Sequence, residues 1–163
     1  GIIPLGAIIN RPPSTRSNME QKTRKQIRLK SYNYAQNGYY FITICTKERK
    51  ALLCDKNAKL KEDNTFELSE IGRIVDNSIR NIEAIYTGVK IDYYVIMPNH
   101  IHLILNIDRA VLFSVSKIIQ QTKSWVTKKV GFSIWQKSFH DHVIRNEQDY
   151  HEIVNYIQIN PLK

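Results

Sequence analysis

Three segments of the chain are rich in β-branched and aromatic residues, a composition typical of buried strands. They cover residues 39–46, 89–97 and 100–107. Pro98 and Asn99 alone separate the second segment from the third, and this spacing predicts a tight antiparallel hairpin. A weaker fourth strand is predicted over residues 139–145.

Three other segments place apolar residues three or four positions apart, which predicts amphipathic helices. The apolar positions of the first are 68, 71, 74, 75, 79, 82 and 85. The second has its face at Leu112, Val115, Ile119, Thr122 and Val126, with lysines and glutamines on the opposite side. The third is predicted from about Glu147 to Ile159, with an apolar face formed by Tyr150, Ile153, Val154 and Ile157, and it ends before Pro161.

The order of these elements is strand, helix, strand, strand, helix, strand, helix. It predicts an α+β fold, a ferredoxin-like split-βαβ antiparallel sheet with helices on one face and an extra C-terminal helix. A length of 163 residues fits one domain. We predict that residues 1–30 form a basic, mostly extended arm before that domain, which covers residues 31–163.

Composition narrows the class of protein. The chain is 42% hydrophobic and 24% charged, as expected for a globular protein with a core. Its two cysteines, Cys45 and Cys54, exclude a disulfide framework and a four-cysteine zinc site, and they favour a reducing compartment, by default the cytoplasm. Cys45 is expected to be a small core residue. No apolar run reaches the roughly 18 residues of a membrane span, so no membrane partner is predicted.

Positive charge is concentrated in two segments of a chain whose net charge is +9. Residues 11–30 hold seven Lys and Arg against one Glu, and residues 110–145 hold six against one Asp. Such segments suggest a polyanionic partner, most naturally nucleic acid, although solvated surface charge remains the alternative. The residues of the second segment that we predict to contact nucleic acid are Lys123, Lys128, Lys129, Trp135, Lys137 and Arg145. Trp135 can stack on unpaired bases or, alternatively, belong to the core.

The third strand begins with an alternating pair of histidines. One residue separates His100 from His102. Side chains two positions apart on a strand project from the same face of the sheet, so the two imidazoles can share one ligand. The aliphatic side chains between and after them occupy the opposite face, which must pack against helices. The histidine face is therefore expected to be open or functional.

The last predicted helix carries a phenol and a carboxamide one turn apart. Tyr156 and Asn160 are near neighbours on one flank of this helix. They can face the histidines and supply a nucleophile and a third ligand to a metal. The alternative is a tyrosine at the edge of the core and an asparagine that ends a helix before proline.

Four blocks of the chain, taken in order, resemble the REP-associated tyrosine transposases of the HUH endonuclease superfamily. The blocks are RLKSYNYAQNGYYFITICT, YYVIMPNHIHLIL, IWQKSFHDHVIRNEQDY and YIQINPLK, and the similarity extends over about residues 28–163. It implies a ferredoxin-like catalytic domain, a divalent metal such as Mg²⁺ or Mn²⁺, and single-stranded or hairpin DNA as the substrate. The segment before residue 28 has no counterpart in the family pattern.

The resemblance also implies roles for single residues. The family's histidine pair falls on His100 and His102, its polar metal ligand on Asn160 and its nucleophile on Tyr156. Tyr156 would attack phosphorus and remain linked to the 5′ side of the break, releasing a 3′-hydroxyl. The family includes arrangements in which the tyrosine helix serves its own subunit or a partner, so a monomer and a homodimer are both compatible with the sequence.

Other interpretations remain open at the level of sequence. His140 and His142 form a second alternating pair that can supply extra ligands or play a structural role. A histidine-triad nucleotide hydrolase also carries alternating histidines, but it expects a third histidine where this chain has Ile104. A non-catalytic module that binds single-stranded nucleic acid would explain the charge and the fold, and it would carry stacking aromatics on exposed strand positions.

Overall fold

A computed structural model describes residues 37–57, 59–63, 65–111 and 114–159 of the chain. The predicted arm at residues 1–30 lies outside this part, as do Leu112, Asn160 and Pro161. No helix of the described part is both long enough and apolar enough to cross a membrane.

The described residues form four strands and three helices in the order predicted from the sequence. The strands are β1 (Asn37–Cys45), β2 (Val89–Met97), β3 (His100–Asp108) and β4 (His140–Ile144). The helices are α1 (Glu70–Ile85), α2 (Val115–Val130) and α3 (Glu147–Ile159). The first helix begins two residues later than its apolar pattern, because Leu68 forms a β-bridge with Cys54 and Ser69 caps the helix.

The four strands form one antiparallel sheet in the order β2-β3-β1-β4. The hairpin predicted across Pro98 and Asn99 joins β2 to β3, and β1 lies between β3 and β4. This arrangement confirms the predicted ferredoxin-like α+β fold. It also brings the histidine strand to an interior position of the sheet, with a neighbour on each side.

Helices α1 and α2 cover one face of the sheet. Each begins at a serine whose hydroxyl accepts a backbone N–H of the first turn, from Gly72 to Ser69 at 3.0 Å and from Lys117 to Ser114 at 3.1 Å. Gly131 caps the C-terminus of α2 with a φ of 99°, a left-handed conformation that favours glycine. The buried residues of both helices pack on the aliphatic side chains of β1 and β3, which together form the main core: Ile42, Ile44, Val75, Ile79, Ile82, Ile101, Leu103, Leu105, Ile118, Ile119 and Val126.

Helix α3 covers the opposite face, the one that carries the histidines. Tyr150 and Val154 pack with Ile104 of β3, and Ile157 lies in a cluster with Val95 and Met97 of β2. The apolar face predicted for this helix is therefore correct. The histidine face was expected to be open or functional, and it is not open, because α3 covers it. The strand pattern distinguishes the two faces of the sheet but does not identify the element that packs on each.

Candidate active site

His100 and His102 lie side by side beneath the covered face of the sheet. Only 1% of His100 and 5% of His102 is exposed to solvent. The sheet register places His100 between Met97 and Cys45, and His102 between Val95 and Thr43. Paired residues of neighbouring antiparallel strands project on the same face, so these side chains surround the imidazoles.

The two imidazoles are close enough to act on one ligand. Their ring centroids are 4.7 Å apart, and the ring planes meet at 72°. The Nδ1 of His100 lies 2.7 Å from the Oδ1 of Asn99, and the Nδ1 of His102 lies 3.1 Å from the Oγ1 of Thr43. Histidines that bind a metal commonly use one ring nitrogen as the ligand and the other in such a hydrogen bond. The prediction that the pair shares one face and one point of convergence agrees with this geometry.

In the described part of the chain, the candidate metal ligands at this site are the two histidines. Among the described residues, no group of three or more His, Cys, Asp and Glu side chains is placed to hold a metal ion. Asn160, the predicted third ligand, lies outside the described residues. Two imidazole nitrogens suit Mn²⁺ better than Mg²⁺, which demands oxygen ligands in octahedral geometry.

Tyr156 lies on α3, the helix that packs over the histidines. The helix starts near Tyr39 and Ile144 and reaches the Val95–Met97 end of β2 at Ile157. Val95 and Met97 are the cross-strand partners of His102 and His100, so the last turns of α3 cross the sheet at the level of the histidine pair. Tyr156 precedes Ile157 and is 47% exposed. Nearly half of this residue therefore faces solvent.

The second alternating pair lies at the edge of the sheet, apart from the first. His140 is opposite Thr43 and His142 is opposite Phe41, so strand β1 separates both from the histidines of β3. Both side chains are exposed, and the Nε2 of His142 lies 3.0 Å from a carboxylate oxygen of Asp149 on α3. The structural role that the sequence left open for this pair fits His142.

The basic residues predicted to contact DNA fall into two groups. Lys128, Lys129, Lys137 and Arg145 are exposed. Lys123 is only 7% exposed, and its ammonium donates to the carbonyl oxygens of Gln136 and Lys137 at 2.8 and 3.3 Å. Burial lowers the pKa of this ammonium below its usual value. Contrary to the prediction, Lys123 is a structural residue that fixes the segment after α2.

The tryptophans of this region also differ from the predicted nucleic-acid contacts. Trp135 is buried in the main core and bridges to Thr46, so its core alternative is the correct one. Trp125 on α2 is the exposed tryptophan, and the ammonium of Lys129 lies 5.3 Å from the centroid of its indole. Sequence analysis missed Trp125. Its position off the apolar face of α2, next to basic residues, was the available signal.

Comparison of the sequence with known proteins identifies two relatives, and no family model matches the chain. An uncharacterized protein of Haemophilus influenzae is 32% identical over 174 residues, and the match covers 91% of this chain and 94% of that protein. A REP-associated tyrosine transposase of Escherichia coli K12 is 27% identical over 139 residues, covering 80% of this chain and 70% of that protein.

A comparison of folds gives a similar result. A solved structure of a REP-associated tyrosine transposase bound to a REP hairpin superposes with a TM-score of 0.58 at 24% sequence identity, and covers 88% of this chain and 73% of the other. The four ordered blocks, the sequence relatives and the shared α+β fold agree with one another. The chain is thus similar in sequence to one REP-associated tyrosine transposase and shares its fold with a solved structure of a protein of that description.

Proposed function

We propose that the chain is a metal-dependent single-stranded DNA endonuclease and strand transferase that works through a 5′-phosphotyrosine intermediate. The observation that carries the proposal is the buried histidine pair, with ring centroids 4.7 Å apart, beneath the helix that bears Tyr156. A pair of imidazoles in such a position needs a ligand or a structural reason. The cross-strand neighbours on the same face are Val95 and Met97, so two polar rings are buried beside apolar side chains.

The residues present fit a divalent cation. His100 and His102 would hold it through Nε2, because the Nδ1 of each is engaged by a neighbouring side chain. Asn160 remains the proposed third ligand. When bound, the cation would polarise the scissile phosphate and neutralise the charge that develops on it.

Tyr156 supplies the nucleophile in this proposal. Its phenolic oxygen forms a bond to phosphorus while the bond between phosphorus and the 3′ oxygen breaks, and the phenolic proton is released. The departing oxygen takes up a proton and leaves as a 3′-hydroxyl, and the 5′ side of the break stays linked to Tyr156. The phosphotyrosine conserves the energy of the phosphodiester, so the 3′-hydroxyl of a second strand can reverse the reaction without a nucleotide cofactor.

Single-stranded or hairpin DNA is the proposed substrate. The structurally related transposase was solved with a REP hairpin, and this chain carries a net charge of +9. The exposed lysines Lys128 and Lys129 lie near the end of α2, where the ammonium of Lys129 is 5.3 Å from the centroid of the Trp125 indole. Lysine contacts to phosphate and stacking on an indole are the usual means of holding unpaired strands.

The alternative of a non-catalytic binding module receives less support. Such a module needs aromatic side chains on an exposed sheet surface. In the four described strands, the aromatic residues are all buried or half-buried: Tyr39, Tyr40, Phe41, Tyr93 and Tyr94. The face that would hold RNA or DNA bases is instead covered by α3.

Covalent attachment of DNA is the direct test of the proposal. The full chain is incubated with Mn²⁺ and a hairpin oligonucleotide that has a single-stranded extension. We expect a protein species of lower mobility on a denaturing gel, and peptide mapping should place the nucleotide on Tyr156. Tyr156→Phe removes the attacking oxygen and should abolish the adduct while DNA binding persists.

Tyr86→Phe is the matched control for this experiment. It deletes the hydroxyl of another tyrosine, at the end of α1 on the opposite side of the sheet, where it donates to Gln121. The adduct should form in this variant as in the wild type. An adduct in Tyr156→Phe, or a mapped nucleotide on a different residue, would contradict the proposed mechanism.

A further inference from the structure

The turn between β2 and β3 places the side-chain amide of Asn99 against the imidazole of His100. The Oδ1 of Asn99 lies 2.7 Å from the Nδ1 of His100. On its other side, the Nδ2 of Asn99 donates to the carbonyl oxygen of Arg49 at 3.3 Å. A backbone carbonyl only accepts, so the contact with Arg49 requires the nitrogen of the amide on that side. The amide oxygen must then face the histidine.

This orientation of the amide determines where His100 carries its proton. An amide oxygen only accepts hydrogen bonds, so the Nδ1 of His100 must be the donor. In a neutral imidazole with a proton on Nδ1, the lone pair is on Nε2. The Nε2 of His100 is buried on the sheet face that α3 covers. The lone pair is therefore directed to the side of the sheet on which Tyr156 lies.

Asn99 is itself held in place by the loop that follows β1. Its backbone carbonyl accepts the N–H of Thr46 at 3.1 Å, and the Oγ1 of Thr46 lies 3.1 Å from the same oxygen. Thr46 is fully buried. The next residues form a tight turn in which Glu48 and Arg49 have φ angles of 55° and 53°, a left-handed conformation that non-glycine residues rarely adopt. This turn directs the Arg49 carbonyl to Asn99.

The second histidine of the pair is under a weaker constraint. The Nδ1 of His102 lies 3.1 Å from the Oγ1 of Thr43. A threonine hydroxyl donates as readily as it accepts, so this contact is compatible with either tautomer of His102. The contact with Asn99 is the one that selects a tautomer.

We infer that Asn99 is a positioning residue that fixes the proton of His100 on Nδ1 and thereby presents the Nε2 lone pair to a divalent cation. The role toward the cation rests on the proposed function. The position of the proton rests on the hydrogen bonds alone. A metal-bound histidine often donates its second N–H to a neighbouring group. Removing that group typically weakens metal binding 10- to 100-fold.

The tautomer is measured directly in the metal-free protein. The full chain is labelled with ¹⁵N-histidine, and long-range ¹H–¹⁵N spectra are recorded at about pH 8, where an ordinary imidazole is neutral. His100 should carry its proton on Nδ1. In Asn99→Leu, which keeps the size but removes the acceptor, His100 should become a mixture of tautomers; Asn99→Asp restores an acceptor and should restore the Nδ1 proton. A wild-type His100 with its proton on Nε2 overturns the inference, whether or not any variant folds.

Binding of Mn²⁺, followed by calorimetry, is the second measurement. Asn99→Leu should weaken binding at least about 10-fold, and Asn99→Asp should bind close to the wild-type level. Asn106→Leu is the matched control, since it makes the same change at the other end of β3 and should alter neither the tautomer nor the affinity. An equal loss in Asn106→Leu, or none in Asn99→Leu, overturns the role toward the cation. If the wild type binds no Mn²⁺ but shows the expected tautomers, the metal in the proposed function is wrong and the proton assignment stands.

Discussion

The hydroxyl of Tyr150 on α3 donates a hydrogen bond to the carboxylate of Asp92 on β2. This contact joins the helix that carries Tyr156 to the edge strand of the sheet. The ring of Tyr150 is buried among Tyr39, Ile104 and Val154, so the hydroxyl reaches the carboxylate from within a packed cluster. The position of α3 over the histidines therefore depends on a polar contact as well as on apolar packing.

Tyr150→Phe should destabilise the fold by about 1.5–3 kcal/mol, the usual contribution of a hydrogen bond to a charged group. The reason is that the carboxylate of Asp92 stays partly buried without this donor. Urea denaturation followed by circular dichroism measures the change. Tyr156→Phe deletes the same atom from an exposed residue of the same helix and should stay within about 0.5 kcal/mol of the wild type. Equal losses of stability in the two variants would show that the hydrogen bond does not anchor the helix.

The stability of the protein should fall in alkaline solution, in part because of Cys54. Burial, with a smaller effect of the charge on Asp55, raises the pKa of this thiol from 9.0 to about 12. Between these two values the unfolded chain loses the thiol proton while the folded chain keeps it, so stability decreases as pH rises through that window. Burial also raises the pKa of Tyr86 and Tyr94, which adds to the decline.

Cys54→Val isolates the contribution of the thiol. Valine has no ionisable group and fills a similar space in the cluster that holds Phe66 and Met97. Melting temperatures recorded from pH 7 to pH 11 should decline less steeply for the variant than for the wild type above about pH 9. Parallel curves for the two proteins would contradict the role of Cys54.

Much of the fold follows from the hydrophobic pattern. The aliphatic residues of β3 alternate with its histidines, which assigns one face to the main core, and the apolar face of α3 is visible in Tyr150, Val154 and Ile157. The sequence cannot show that α3 packs on the histidine face, since periodicity identifies an apolar face without naming its partner. The burial of His100 and His102 is a consequence of that packing.

The errors at basic and aromatic positions have a common physical cause. Lys123 is long enough to bury its stem beside Ile119 and Val126 on α2 while its ammonium reaches two backbone carbonyls. Trp135 is buried because the segment after α2 folds back and pairs with Thr46, the residue that follows β1. Neither arrangement is encoded in the spacing of the residues themselves, since both depend on segments brought together by the fold.

Salt dependence of DNA binding should separate the exposed lysines from the buried one. Replacing Lys128 and Lys129 with Gln should reduce the slope of log affinity against log salt by about 0.7 for each single-strand phosphate that these lysines neutralise in the wild type. Lys123→Gln should leave the slope unchanged and lower the melting temperature, because its ammonium holds two carbonyls. Fluorescence anisotropy with a hairpin oligonucleotide at several salt concentrations measures the slope. A slope that changes only with Lys123 would reverse this assignment.

Leucine substitutions of the histidine pair test the metal site without disturbing the packing. Both histidines are buried beside Val95 and Met97, so alanine would leave cavities, whereas leucine is apolar and of similar size. The double variant His100→Leu, His102→Leu should remain folded by circular dichroism, lose Mn²⁺ binding in calorimetry and form no covalent adduct with DNA.

The matched control replaces His140 and His142 with leucine. These residues project on the same face from the edge strand, and the control should retain Mn²⁺ binding and adduct formation because strand β1 separates them from the buried pair. Adduct formation by the first variant would show that the histidines of β3 are not required for the reaction. Loss of Mn²⁺ binding in the control alone would show that the metal binds at β4.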